Sequence, residues 1–284
     1  MSIKDIKVSV IIVAYNNHQE LDDCLKSIQT YNDVGEKLEV IIVDNSTTDS
    51  VEKIVRNYNK IKYVKNPDNG FGRGNNIGAN CSSGDLLIFL NPDTLLIEPI
   101  FREIIKLYYS KSNCGMAGVQ LLNEKRVEHN SYNMRLNYGV YKKILLYIFR
   151  KFHLFFQKYM YTSGADIIMD RETFYSIGGF DEGIFMYGEE QDLAHRVNDI
   201  GKRLYYFPKL KIVHLQGKST GKNYASTHGR MNTSNEIYCN KYGYDYKKEL
   251  RKEIKAMRMI NSILKKAGKK KYEEDLINYY ESFL

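Results

Sequence analysis

The sequence predicts an α/β protein with a mostly parallel central sheet flanked by helices and a helical, basic C-terminal extension. Three observations carry that prediction. Short β-branched runs alternate with segments of helical apolar spacing over the first hundred residues, the residues just after each run are polar, and the positive charge is gathered in two places.

Residues 8–14 (VSVIIVA) are a run of the kind that forms a strand buried on both faces, and residues 39–44 (EVIIVD) repeat it about thirty residues later. Between them Leu21, Cys24, Leu25 and Ile28 recur at helical spacing, which completes a βαβ unit. Residues 61–64 and 86–90 (LLIFL) read as two further strands with helical segments between. Such alternation implies a parallel, doubly wound sheet. After Leu122 a Tyr-, Lys- and Asn-rich stretch intervenes, and the pattern resumes at Ser163 with a GADIIM strand, a short helix and a GGFDE turn. A helix is expected over 188–200, then a small strand, Pro208, and a short Ile212-Val213-His214 segment. Residues 1–220 are thus expected to form the main domain, with 138–160 as a basic, aromatic insertion and 221–284 as the helical extension.

A chain of 284 residues with 43% apolar content can bury an adequate core. No stretch approaches the roughly 20 apolar residues of a membrane span, and the opening MSIKDIKVSV lacks the basic-then-apolar order of a signal peptide, so a cytoplasmic location is expected. Cys24, Cys81, Cys114 and Cys239 show no C-x-x-C spacing and read as reduced thiols. The formal charge is +8, yet residues 247–271 alone carry +9 and residues 138–160 carry +5 with no acid, which leaves the rest at −6. The second of these segments interleaves aromatics with Lys and Arg as an interfacial helix does, or is a core-covering helix with a basic outer face. The first places Leu250, Ile254, Met257 and Leu264 near helical spacing, which fits anionic lipid binding or a solvated terminal helix. No nucleic-acid recognition module is evident.

Ligands of doubly wound sheets bind beyond the carboxyl ends of the strands, so the polar residues there are the site candidates. Asn91-Pro92-Asp93 follows the most apolar run, where a carboxylate suits a divalent ion that neutralises a diphosphate; alternatively Asp93 caps a following helix. Residues 69–78 (NGFGRGNNIG) crowd glycines at a helix entrance, where backbone N–H groups approach phosphate, or serve as a structural loop. They miss the dinucleotide fingerprint, because Asn75 stands where its last glycine would fall. Glu189, Glu190 and Asp192 open a helix, where acids suit the helix dipole or one of them deprotonates an attacking hydroxyl. His214 could hold a metal or phosphate, or be structural.

In this order the stretches VSVIIVAYN, IIVDNSTTD, NGFGRGNNIG, LLIFLNPD, SGADIIMDRETFYSIGGFDE, YGEEQDLAHR and VHLQGKS resemble the inverting glycosyltransferases of family two, with the GT-A fold, and its rhamnosyltransferase-like bacterial branch. The resemblance covers about residues 8–219. It implies a UDP- or dTDP-sugar donor, a saccharide or lipid-linked acceptor and Mg2+ or Mn2+. Ala14 and Tyr15 would hold the base, Asp44 would hydrogen-bond the pyrimidine, Asn69, Arg73 and Asn76 would line the nucleoside side, and Asn45 belongs to the same nucleotide-sugar set. Asn91 and Asp93 occupy the place of the family's D-x-D motif, so metal holding would rest on Asp93 with His214 as a second ligand. The family's Glu-Asp pair stands here as Glu189-Glu190, which makes Glu190 the expected base, with Asp192 and Glu189 as rivals. The longer Glu190 side chain shifts the carboxylate by about one bond length, a displacement that matters at a reacting centre. Two other functions compete with this reading. An inactive glycosyltransferase-like scaffold is compatible with the Asn91 and Glu190 departures, whereas a sugar-phosphate nucleotidyltransferase would want a Gly-rich basic loop after the first strand, where AYNNHQE stands.

Overall fold

The computed structural model describes residues 5–67, 70–135, 139–215, 224–265, 272 and 274–284. In chain order the elements are β1 (Val8–Ala14), α1 (His18–Thr30), β2 (Leu38–Asp44), α2 (Ser50–Val55), β3 (Ile61–Lys65), α3 (Phe71–Asn80), β4 (Leu86–Leu90), β5 (Thr94–Leu96), α4 (Phe101–Ser110), β6 (Cys114–Leu122) and β7 (Tyr132–Met134). There follow α5 (Val140–Lys151), β8 (Met160–Thr162), β9 (Asp166–Asp170), α6 (Arg171–Ser176), α7 (Glu189–Asp199), β10 (Arg203–His214), α8 (Tyr224–Lys241), α9 (Tyr246–Lys265) and α10 (Glu274–Glu281). They divide into two compact units: residues 1–132 with 161–221, and residues 133–160 with 222–284.

The first unit is an eight-stranded sheet in the order β3-β2-β1-β4-β9-β6-β10-β5. Strands β3, β2, β1 and β4 run parallel, and β6 runs parallel to β10, while β9 is antiparallel to both its neighbours and β5 is antiparallel to β10. Every residue of β1, β4 and β6 is buried, as expected of strands covered on both faces. On one face Val8, Val10 and Ile12 join a core completed by α1, α2 and α4. Burying Leu21, Leu25 and Ile28 of α1 there is worth about 1.5–3 kcal/mol each. On the other face α3 lies so close to β1 that a Cβ on Gly78 would stand 2.4 Å from Ile11 Cγ2, so glycine sets the approach of helix to sheet. Phe89 of β4 meets the rings of Phe174 and Phe180 at 4.9 and 5.0 Å, which pins the GGFDE turn over the same face.

The order places β1 beside β4 where the winding reverses, and that switch point is where ligands of such sheets bind. Ala14 pairs with Asp44 and Asp44 with Lys65, so these strands end in line and deliver their following residues to one edge. The structure departs from the sequence expectation in two elements. Asp93 leads into a strand, β5, and not a helix, which removes helix capping as its explanation. Residues 203–214 form one long strand, not a small strand and a separate segment: a register shift between Phe207 and Lys211 takes up Pro208 and the strand continues.

In the second unit α9 buries Leu250, Ile254 and Met257 in a core shared with Leu276, Ile277 and Tyr280 of α10. Helix α5 packs on α9, with Lys143 Nζ 2.8 Å from Glu253 Oε1. The two basic segments therefore belong to one compact body although about ninety residues separate them. Among the described residues no helix is long and apolar enough to cross a membrane.

Candidate active site

At the ends of β1 to β3 the polar groups are tied to one another. Asp44, fully buried, accepts hydrogen bonds from Tyr63 Oη (2.6 Å) and Lys65 Nζ (2.9 Å) on one oxygen and from the Ser46 N–H (2.8 Å) on the other. Burial alone would push this carboxyl up, but the bonds from Ser46, Tyr63 and Lys65 together outweigh it and hold it below the ordinary aspartate value. The Asn45 N–H donates to the Ala14 carbonyl (2.9 Å), its amide donates to the Gly70 carbonyl (3.3 Å), and its side-chain oxygen accepts from Asn66 (2.8 Å). Tyr15 follows β1 directly, its ring substantially exposed and its N–H donating to Asn17 Oδ1. This edge offers an exposed aromatic ring next to a hydrogen-bonded polar floor.

Helix α3 is capped by Gly70, whose φ of +102° and whose approach to the Phe185 carbonyl, 2.7 Å from an added Cβ, both require glycine. The Phe71 N–H donates to that carbonyl (2.9 Å), so the glycine loop and the segment before Glu189 are stitched together. Asn76 spends its amide on the turn beyond α6: it donates to the Phe180 carbonyl (3.0 Å) and Glu182 (3.0 Å) and accepts from the Phe180 N–H (2.9 Å). Arg73, half exposed, reaches Glu182 at 3.6 Å. The glycine crowding thus has a packing cause, and Asn76 holds two segments in place. Asn69 lies outside the described residues.

At the end of β4 the arrangement is different. The Asn91 N–H donates to the Ala165 carbonyl (3.0 Å), Thr94 Oγ1 donates to the Asn91 carbonyl (2.7 Å), and the Leu215 N–H donates to the Asp93 carbonyl (2.9 Å). Because β10 pairs antiparallel with β5, His214 lies opposite Thr94, and its Nε2 comes within 3.2 Å of Asp93 Oδ1 and 3.5 Å of Asn91 Nδ2. Asn91 Oδ1 and His214 Nδ1 are buried with no hydrogen-bond partner among the described residues. A carboxylate and an imidazole at this spacing, beside an uncommitted amide oxygen, fit a divalent ion that takes its remaining ligands from a diphosphate. No cluster of three or more His, Cys, Asp or Glu suited to a metal exists among the described residues, so such an ion would depend on the ligand it shares.

Helix α7 contributes the acids. Glu189 is buried, with one carboxyl oxygen lacking a partner among the described residues, and burial followed by the neighbouring Glu190 charge pushes it well above the ordinary glutamate value. Glu190 is half-buried, accepts from the Gly188 N–H (3.1 Å), and is also pushed up by burial. A Cβ on Gly164 would lie 3.5 Å from the Glu190 carboxyl carbon, and the next residue, Ala165, holds Asn91, so Glu190 borders the end of β4. Asp192, fully buried, takes two bonds from Arg196 (2.6 and 2.8 Å), whose other nitrogen caps the Ile177 and Gly179 carbonyls (2.5 Å each). Asp192 therefore serves in a structural ion pair. Sequence reasoning missed Arg196, Lys65, Tyr63 and Gly164; the i,i+4 spacing of Asp192 and Arg196 and the alternation of Tyr63 and Lys65 on β3 were the available signals.

A family model described as glycosyl transferase family 2 matches residues 9–178, more than half of the chain. The chain belongs to that family. Its relatives include rhamnosyltransferase WbbL of Escherichia coli K12, 24% identical over 224 residues that cover 72% of this chain and 82% of that protein. A shorter match, 39% over 64 residues, covering 22% of this chain and 21% of the other, is to an N-acetylglucosaminyl-diphospho-decaprenol L-rhamnosyltransferase of Mycobacterium tuberculosis. Among solved structures, a mannosyltransferase of Pyrobaculum calidifontis in complex with GDP-Man and Mn2+ superposes with a TM-score of 0.60 at 16% identity, over 83% of this chain and 64% of that one. Residues 1–349 of Staphylococcus aureus TarS give 0.54 at 14% identity, over 92% and 72%. The fold is thus GT-A, a mostly parallel eight-stranded sheet flanked by helices, and the family match spans β1 to α6, including Ala14, Asp44, Asn91 and Asp93.

Proposed function

We propose that this family 2 glycosyltransferase moves a hexose or deoxyhexose from a UDP- or dTDP-linked donor onto a saccharide or lipid-linked acceptor in the synthesis of a bacterial surface polysaccharide, working in the cytoplasm on the inner face of the plasma membrane. The observation that carries the reading is the Asp93–His214 pair, 3.2 Å apart beside Asn91, which directly follows β4. Kinship with rhamnosyltransferases supports the polymer context and the lipid-linked acceptor.

The donor's base would lie on Tyr15 and the Ala14 backbone above Asp44 and Asn45, with Arg73 and Asn69 toward the nucleoside and Asn76 bracing that side. Asp93 and His214, with Asn91, would hold Mg2+ or Mn2+, whose charge when bound offsets that of the departing diphosphate. The Pyrobaculum neighbour was solved with Mn2+, which favours the same use here. Glu190 accepts the proton of an acceptor hydroxyl. The oxygen attacks the anomeric carbon from the face opposite the diphosphate, the new C–O bond forms as the bond to phosphate breaks, and the configuration inverts. The upward shift of Glu190 makes it a stronger base than an ordinary glutamate, closer to the working pH.

The experiment is to incubate the purified protein with Mn2+ or Mg2+ and a panel of nucleotide sugars and to follow nucleoside diphosphate release with and without EDTA. Release from one donor, lost with EDTA, in Asp93→Ala and in Glu190→Gln, is expected. A folded protein that neither binds nor cleaves any donor would overturn the reading.

A further inference from the structure

The second unit carries an exposed apolar face that the transfer reaction does not use. Of the seventeen large hydrophobic side chains exposed among the described residues, eight fall between 141 and 159. On α5, Tyr141, Ile144, Tyr147 and Ile148 recur along one side, and the two tyrosines are 74% and 70% exposed. The turn that follows exposes Phe152 and Phe156 as well. An isolated exposed apolar residue needs no explanation, but a contiguous helix-and-turn face of aromatics marks a surface built for an apolar partner.

Charge identifies the partner. No Asp or Glu occurs from 129 to 165, a stretch that holds six Lys or Arg. Lys143 turns inward to Glu253, whereas Lys151 and Lys158 are exposed and lie over the rings of Phe152 and Tyr159, each 5.8 Å from the centroid. Cations at the level of aromatic rings, beside a protruding aliphatic row, match the phosphate layer and acyl boundary of an anionic bilayer. The more basic α9 is built differently, since it spends Leu250, Ile254 and Met257 on the core it shares with α10.

We propose that α5 and the 152–159 turn form the membrane-docking surface of this protein, entering the headgroup region of an anionic bilayer, while α9 and α10 brace them from behind and add only diffuse attraction. This rests on the reading that the acceptor is lipid-linked, and it names the element that meets the membrane.

The chain has no tryptophan, so a single introduced one reports its own surroundings. With vesicles of phosphatidylcholine containing phosphatidylglycerol, Tyr147→Trp is expected to shift its emission to the blue and to be quenched by brominated lipid, while Tyr175→Trp in the sheet unit does neither. In co-sedimentation, Tyr147→Ser with Ile148→Ser is expected to weaken vesicle binding by at least about tenfold, against a smaller loss for Lys247→Glu with Lys248→Glu. Both positions are exposed, and circular dichroism melts confirm that the variants fold. An unshifted Tyr147→Trp signal on bound protein, a reversed ranking of the two double variants, or an equilibrium-sedimentation dimer abolished by the serine pair would overturn the proposal. Transfer to a water-soluble acceptor without vesicles, followed in parallel, separates failure of docking from failure of the enzymatic reading.

Discussion

The two edges of the candidate site are built on opposite plans. Beyond β1 to β3 the buried polar groups of Asp44 and Asn45 are partnered, and the Asp44 carboxyl is held ionised by Ser46, Tyr63 and Lys65. Beyond β4 and at the start of α7, Asn91 Oδ1, His214 Nδ1 and one Glu189 oxygen are buried without a partner among the described residues. A buried polar group that lacks a partner costs about 1–3 kcal/mol, so the second edge carries a deficit that the proposed cation and diphosphate would relieve. The first edge is a finished floor; the second is left open, and the proposed reading fills it with a cation.

Four substitutions test that contrast. At the unfinished edge Asp93→Ala should lower transfer by about a thousandfold, equivalent to roughly 4 kcal/mol of barrier, with little change in melting temperature. Mn2+ should raise the melting temperature of the parent in the presence of nucleoside diphosphate and leave that of the variant unmoved, as scanning calorimetry would show. Arg196→Met strands the buried Asp192 carboxylate and should cost about 3–5 kcal/mol by urea unfolding, which would show that one acid of α7 belongs to the finished plan. Asp44→Asn removes an ion pair whose lysine is 46% exposed, so the loss should be smaller, about 2 kcal/mol or roughly 4–8 °C. The parent should also lose this contribution as the pH falls below the ordinary aspartate value of about 4, and the variant should not. The smallest effect carries the opposite sign. The folded-state value of Glu189 lies above its unfolded value, so the native state binds more protons and stability declines as pH rises through that interval; Glu189→Gln should abolish the decline and stabilise the protein by about 1 kcal/mol at pH 7, seen in thermal melts from pH 4 to 8.

Much of this architecture can be read from the chain. Strands β1, β2 and β4 announce themselves because double-sided burial demands unbroken β-branched and apolar runs, and the polar residues at their ends mark the candidate edge. Asp93 and His214 are each visible as candidates, but their meeting depends on the reversed pairing of β5 with β10, which three residues of β5 and a strand interrupted by Pro208 do not advertise. The partners of Asp44 are hidden for a related reason, since the alternation of β3 puts Tyr63 and Lys65 on the same side only once its register with β2 is known. The packing of α5 with α9 escapes a linear reading altogether, because complementarity between segments ninety residues apart leaves no local periodicity.

The pairing of β10 with β5 also sets a timetable. The floor formed by Asp44, Asn45 and Asn66 comes from consecutive βαβ units over residues 8–66, which emerge early during synthesis, and is completed by the Gly70 carbonyl. Asp93 must wait for a partner 121 positions downstream, and contacts of that separation form late in folding. A nascent chain would therefore complete most of the polar floor well before it brings Asp93 and His214 together. Ordered this way, synthesis would finish the polar floor early and bring the proposed cation ligands together only when nearly the whole sheet has closed.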